Sequence, residues 1–365
     1  MSKNIRKAMT TDEFRVKFPD EETVAKYVAF KRWGDQPRCY FCDSTRCVVW
    51  RGDRAGYYRC KDCRKQFSVK HGSIFEGSRI PLLKWLWAFY HLTVNRKGMS
   101  STTLCSYLDL CQPTTHSLLQ RVRKVMGRHK KNYVTKGGKV EVDERYHGAN
   151  PKNMHARKRY GRKPIAVVFG MRERDGYTIT KHVENNKKET LQPEIERHVK
   201  PGSEIDSDGH KSYNGLSKKG YIHNRVDHSE GQYVDGDTYT NSMESAWAVQ
   251  ERAFYGIYHN CDRENLNLYQ NEFDYRLNMG SRQMSTMDAI DKLIADCWIF
   301  TGCYNRKHSV VIMVAEFFGR LKADLRRRKY PGAAEHKAIL RKFFGMPPEP
   351  HKRQRLQEPR IINYI

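Results

Sequence analysis

Two sets of side chains in this sequence have types and spacings suited to chemistry. The first is acidic: Asp143, Asp208 and Glu244, separated by 65 and 36 residues. Carboxylates so far apart can come from separate elements and converge on divalent cations. Nucleotidyl transfer asks for little more, because two bound ions activate the attacking oxygen and stabilise the leaving one. Mg²⁺ takes hard oxygen ligands and keeps several waters, so a few carboxylates at element ends suffice, with Mg²⁺ or Mn²⁺ as the expected pair of ions. Glu141 and Asp206 are the local competitors, each two residues before one of these acids. His147 and His228 read as structural histidines, His228 with a secondary possibility of orienting substrate or water. The second set is soft: CYFC, 17 residues, then CKDC, which makes Cys39, Cys42, Cys60 and Cys63 the ligands of one structural Zn²⁺. Cys47 falls outside the paired spacing and reads as a free cysteine.

The elements around these residues follow from periodicity. Thr11 to Lys31 reads as one opening helix with Phe14, Phe18, Val24 and Val28 inward. Ile80 to Val94 reads as a buried helix, STTLCSYLDL as a short second one and Thr114 to Arg128 as a third. Leu118, Leu119, Val122, Val125 and Met126 form the apolar stripe of that third helix. This order resembles a helix-turn-helix, with Gln112, Thr115, His116, Gln120 and Arg123 as the residues to meet a DNA groove. An ordinary three-helix packing unit is the competing reading. From Lys139 the pattern turns to strands. KVEVDERY places Val140 and Val142 on one face and Glu141 and Asp143 on the other. KPIAVVFGMRE and GYTITKHV read as two more strands, Glu189 to His198 as a helix, SEIDSDG as a strand and SMESAWAVQERAF as a helix carrying Glu244. Three strands, a helix, a strand ending in Asp and a helix carrying Glu match the order of a ribonuclease-H-like α/β domain.

The charge points to a polyanionic partner. The 365 residues hold 67 Lys and Arg against 41 Asp and Glu, a formal net charge of +26, which concentrates and steers phosphate-bearing ligands. Eight basic residues and no acid lie between Arg121 and Lys139, and six lie between Lys152 and Lys163, including Arg157, Lys158 and Arg159. These runs read as a DNA-backbone track. No apolar run reaches membrane-spanning length and the opening residues lack a signal peptide's hydrophobic stretch, so the expectation is intracellular: cytoplasmic or nucleoid-associated if bacterial, nuclear if eukaryotic.

At FPDEETVAKYVAFKRWGDQPRCYFC, YYRCKDCRKQFSVKHGSIFEGSRIPLLKW, VEVDERYHGANPKN, IDSDGHKSYNGL and TYTNSMESAWAVQERAFYGIYHNCDRENLNLYQNEFDYRLN, the sequence resembles the Merlin-type DDE transposases and their bacterial insertion-sequence relatives. The resemblance implies a multidomain α/β protein: a helical segment over 1–35, a zinc ribbon over 36–75, a helix-turn-helix domain over 76–130 and a ribonuclease-H-like DDE domain over 131–280. Residues 281–365 lie beyond it and read as a basic helical extension. It implies Asp143 and Asp208 as the first two catalytic acids and either Glu244 or Asn241 as the third. Glu272 and Arg276 match a further Glu and Arg of the family. Two departures stand out. Glu251 occupies a position where the relatives usually carry Lys, with Arg252 next to it as a substitute DNA contact, and Met279 replaces a frequent basic residue.

The function implied is binding of terminal inverted repeats, then metal-dependent hydrolysis and strand transfer into target DNA by a homodimer or larger homo-oligomer. A transposase-derived regulator or architectural protein without catalysis is the alternative. A zinc-stabilised RNA-binding protein would explain the charge but not the acids.

Overall fold

The computed structural model describes residues 8–50, 55–131, 133–148, 166–174, 176–226, 241–259, 261–280 and 283–298. Arg157, Lys158, Arg159, His228 and the basic cluster at Arg326 to Lys329 lie outside them.

The opening segment is two helices rather than one, α1 (Thr11–Lys17) and α2 (Glu21–Trp33). Pro19 explains the break: it disfavours helical backbone at Phe18 and cannot donate to the preceding turn. Each new start is capped locally. Thr10 and Glu13 form a reciprocal capping box, and Asp20 accepts the Thr23 N–H at 2.7 Å. A three-stranded antiparallel ribbon follows, β1 (Cys47–Val49), β2 (Tyr57–Cys60) and β3 (Gln66–Ser68), in the order β1-β2-β3. Next come α3 (Leu82–Val94), α4 (Ser101–Leu108) and α5 (Gln112–Met126). Helix α3 has no side-chain cap of its own. Glu21 of α2 supplies one, its two oxygens accepting the Leu82 and Leu83 N–H groups at 2.8 Å each. Between α4 and α5 the chain turns through Asp109–Cys111, with Asp109 at φ 49°.

These elements share one core. Phe14, Val28, Phe67, Trp85, Leu118 and Val122 are buried together with Tyr275, Ile290 and Leu293 from the far end of the described chain. Cuts at 35, 75 and 130 therefore run through a continuous apolar cluster. The basic helical extension expected from 281 opens with α9 (Thr286–Asp296), which packs against α2 and α3.

The second body is a five-stranded sheet: β4 (Lys139–His147), β5 (Ala166–Glu173), β6 (Thr178–Val183), β7 (Glu204–Asp208) and β8 (Ile222–Val226), ordered β6-β5-β4-β7-β8. β5 runs antiparallel to β4 and β6, while β7 runs parallel to β4 and β8. The crossover helix α6 (Lys188–His198) packs Leu191 and Ile195 against Val140, Val142 and Ile205 on one face. On the other face, α7 (Asn241–Ala253) and α8 (Leu266–Met279) pack Met243, Ala246, Trp247 and Phe273 against Ala166 and Val168.

Strand β6 lies at the sheet edge, where unpaired backbone groups are an aggregation hazard. Helix α8 covers it with side-chain acceptors. Asn278, Asp274 and Asn267 take the N–H groups of Thr178, Thr180 and His182 at 2.8, 2.9 and 2.9 Å. Asn278 also donates to the Thr178 carbonyl at 2.7 Å, acting as a substitute strand partner.

Candidate active site and metal centre

Strand β4 directs Glu141, Asp143 and Arg145 to the face covered by α7, and each grips that helix. Glu141 Oε2 accepts the Met243 N–H at 2.9 Å, Asp143 Oδ2 accepts the Trp247 Nε1–H at 2.8 Å, and Arg145 donates to the Trp247 carbonyl at 2.9 Å. Arg145 also pairs with Glu251 at 2.9 Å. The match is one of repeat lengths: four helical residues rise about 6 Å and two strand residues about 6.7 Å. Residues 243, 247 and 251 therefore meet 141, 143 and 145 in step. Glu251 has a structural role here, as the last rung holding α7 to β4.

The carboxylates on this face form two tiers. In the first, Glu141 and Asp206 are cross-strand neighbours and fully buried. Arg174 lies 3.5 Å from Glu141 and 3.1 Å from Asp206, Lys139 lies 3.6 Å from Asp206, and Asn224 donates to Asp206 at 3.1 Å. Glu141 also closes the start of α7. This tier is neutralised by the protein itself.

The second tier is Asp143 and Asp208, two residues further along the same parallel strands. Asp143 Oδ1 accepts the Glu144 N–H at 2.8 Å, and Asp208 Oδ1 accepts the His210 N–H at 3.1 Å. Among the described residues no Lys or Arg pairs with either acid. Burial, with the nearby negative charges of Asp208 and Glu144, pushes the Asp143 carboxyl up to about 7. Two half-buried carboxylates on adjacent parallel strands, neither met by a described protein cation, suit a divalent ion.

Glu244 is exposed in the first turn of α7, three residues before Trp247. It does not close onto the aspartates: among the described residues, the cysteine tetrad is the one group of three or more potential metal ligands with donor atoms all within 4.8 Å. Asn241 is the first residue of α7. In that first turn the Met243 N–H is accepted by Glu141.

The tetrad itself is well formed. Cys39 Sγ lies 3.6 Å from Cys63 Sγ, and Cys42 Sγ lies 3.6 Å from Cys60 Sγ. Tetrahedral Zn–S bonds of about 2.3 Å separate sulfurs by roughly 3.8 Å, so the four thiols fit a structural zinc. Cys47 faces Cys60 across the β1–β2 ladder.

Two of the residues expected to meet a DNA groove cannot do so. Thr115 is fully buried and its hydroxyl donates to the Cys111 carbonyl at 3.2 Å. Arg123 is also buried, paired with Glu272 at 2.7 Å and stacked over Tyr269 at 4.0 Å. Both lie on the core side of α5, where the apolar stripe is wider than periodicity indicated. Gln112 is exposed and donates to Ser101 Oγ at 2.9 Å, while His116 and Gln120 are half-buried and bonded to each other at 3.1 Å. Arg252 is exposed. Trp247 and Gly170 were missed. Gly170 is the Cα partner of Asp143, a register that only the folded sheet reveals.

Comparison with known proteins agrees with this architecture. Residues 136–278 match the ISXO2-like transposase domain, and residues 19–66 match the transposase zinc-ribbon domain. A protein of transposable element ISH50 from Halobacterium salinarum is 25% identical over 276 residues, 71% of this chain and 91% of that protein. A transposase-like protein of Haemophilus influenzae is 31% identical over 105 residues, 28% of this chain and 80% of its own length. The crystal structure of the Mos1 mariner paired end complex with Mn overlaps 56% of this chain and 76% of that one, at 13% identity and a TM-score of 0.17. No helix among the described residues is long and apolar enough to cross a membrane.

Proposed function

We propose that this chain, which carries an insertion-sequence transposase domain behind its zinc ribbon, binds the terminal inverted repeats of an element and cuts and joins DNA with a divalent-metal site at Asp143 and Asp208. The observation that carries the reading is the contrast between tiers: Glu141 and Asp206 are met by Arg174 and Lys139, and Asp143 and Asp208 by no described cation. The strand order β6-β5-β4-β7-β8, with three antiparallel strands followed by two parallel ones, supports a ribonuclease-H-like catalytic domain. The α4–turn–α5 unit supports a helix-turn-helix whose exposed side offers Gln112, His116 and Gln120.

Bound Mg²⁺ or Mn²⁺ ions would supply Lewis-acid polarisation of the phosphoryl oxygen and activation of the attacking oxygen. Asp143 and Asp208 would hold them from adjacent strands. Glu244 would complete the set from α7, with Asn241 as the alternative third residue. A DNA 3′-hydroxyl can use the same pocket as water, since each replaces one oxygen at phosphorus by another. Zn²⁺ on Cys39, Cys42, Cys60 and Cys63 is structural. Two DNA ends must meet, which makes the working form a homodimer or larger, and the substrate puts it inside the cell.

The second reading, a DNA-binding regulator without catalysis, draws on the exposed Glu244 and on the Arg145–Glu251 pair where a DNA-facing Lys would otherwise stand. Cleavage of cognate ends in Mg²⁺ by the wild type, Asp143→Asn and Asp208→Asn separates them. Loss of cleavage with retained DNA binding in both variants supports the enzyme, and a wild type inert on its own ends supports the regulator.

A further inference from the structure

Asp143 is held at both oxygens. Oδ1 accepts the N–H of the next residue, and Oδ2 accepts the indole N–H of Trp247 at 2.8 Å. A carboxylate fixed this way keeps one orientation, with its remaining lone pairs available to a cation. The indole has few alternatives. The residue is 6% exposed, packed with Val168, Met243, Ala246 and Phe273, and its own carbonyl is held by Arg145. Room for the ring and for its neighbour Met243 depends on Gly170, directly across the ladder from Asp143, where a Cβ would stand 2.4 Å from Met243 Cε and 2.5 Å from Trp247 Cζ2.

We infer that Trp247 is the positioning residue of the metal site: its Nε1–H sets the orientation of Asp143, and its seat against Gly170 sets how far α7 carries Glu244 toward the aspartates. This rests on the metal-carboxylate reading above. Trp247 touches no reacting atom. A donor bonded to a metal-binding carboxylate orients that ligand, and losing such a partner typically weakens metal affinity or activity about 10–100-fold. Trp247 sits one helical turn after Glu244, so a single side chain ties two proposed ligands on different elements to one another.

The test uses the full chain with its zinc bound and measures Mn²⁺ affinity by the electron paramagnetic resonance of free Mn²⁺, beside cleavage of cognate ends. Replacing the Trp247 indole with its benzothiophene isostere keeps shape and packing but removes the N–H. Mn²⁺ affinity and cleavage should both fall by about 10–100-fold, with the melting temperature unchanged. Gly170→Ala, which crowds the ring and the Met243 methyl but leaves both hydrogen-bonding groups intact, should shift the same two readings in the same direction. Wild-type Mn²⁺ affinity in the isosteric protein overturns the proposal. Asp143→Asn is the control for the underlying site: if it too binds Mn²⁺ as the wild type does, the metal-carboxylate reading fails, and Trp247 has nothing to position.

Discussion

Arg123 of α5 donates through Nε to Glu272 of α8 at 2.7 Å, with side-chain exposures of 1% and 0%. The pair joins the N-terminal core to the helix that covers the sheet edge. Arg276 stands 3.5 Å from the same carboxylate, Tyr258 donates to it, and the Arg123 guanidinium lies over the Tyr269 ring. Removing one partner of a buried pair strands the other, a loss of about 3–5 kcal/mol. Glu272→Ala, which strands Arg123, should lower chemical-denaturation stability by that amount, and Arg123→Ala by less, because Arg276 and Tyr258 still meet the carboxylate. A cost under about 1 kcal/mol, the range for surface pairs, would return Arg123 to the DNA-facing side of α5.

The same helix predicts a cost at the sheet edge. Asn278 satisfies both backbone groups of Thr178, and Thr178 is itself buried. Asn278→Ala leaves a donor and an acceptor out of water without partners, each about 1–3 kcal/mol. Thermal unfolding should show the loss, and hydrogen exchange at Thr178 should accelerate ahead of the central strand β4. Equal protection at both sites would mean that water replaces the side chain at no cost.

How much of this was legible beforehand follows from what kind of information each feature needs. The alternation in KVEVDERY separated Val140 and Val142 from Glu141 and Asp143 because strand periodicity is local. The two CxxC pairs likewise announced a tetrad. Pro19 was also local, and its breaking power should have divided the opening helix. Which acids stay uncompensated was not local: Lys139, Arg174 and Asn224 reach Asp206 from three strand neighbourhoods. Nor was the burial of Arg123, since an arginine on a basic stretch looks solvated until Glu272, 149 residues later, is brought against it.

Half-buried His129 gives the fold an acid-sensitive point. Its Nδ1–H donates to the Met126 carbonyl, so Nε2 is free to accept from Asn278 Nδ2 at 3.3 Å, a pairing that requires the neutral ring. Burial, with the positive charges of Lys130 and Lys292, holds its pKa down to about 4. The unfolded chain binds that proton near pH 6.5. Between the two values the unfolded state carries more protons, so stability falls as pH drops from about 6.5 to 4, by up to about 3 kcal/mol, and levels off below. His129→Gln should flatten this part of the stability curve measured by urea unfolding between pH 4 and 7. An unaltered slope would place the acid sensitivity elsewhere.

Zinc removal should damage the ribbon more than the helices. Cys39 and Cys60 are buried in the shared core, and Trp33 of α2 packs edge-on against Tyr58 and Phe67 of the ribbon. One zinc per chain is expected in purified protein. Chelation or Cys60→Ser should lower the melting temperature while leaving most of the helical circular dichroism. Full-strength thermal stability in a zinc-free, reduced preparation would show that the tetrad holds no structural metal.

Glu244 decides whether α7 brings chemistry or only packing to the aspartates. Its carboxylate is exposed and has no hydrogen-bonding partner among the described residues, while the start of the helix is closed by Glu141. Glu244→Gln should therefore alter folding stability by no more than about 0.5 kcal/mol, as for other surface changes. If Glu244 serves as the third metal ligand, losing its charge should reduce Mg²⁺-dependent cleavage of cognate ends by orders of magnitude, with DNA affinity unchanged. Asn241→Ala runs beside it, because the family resemblance allows either residue. Asn241 heads α7 without being the acceptor for Met243, so its loss should be mild in stability as well. Cleavage, melting temperature and DNA affinity are to be read on the same preparations of both variants. Collapse of cleavage in Glu244→Gln alone assigns the third position to Glu244, and collapse in Asn241→Ala alone moves it there. Normal cleavage in both leaves Asp143 and Asp208 to hold the ions without help from α7 beyond the indole of Trp247.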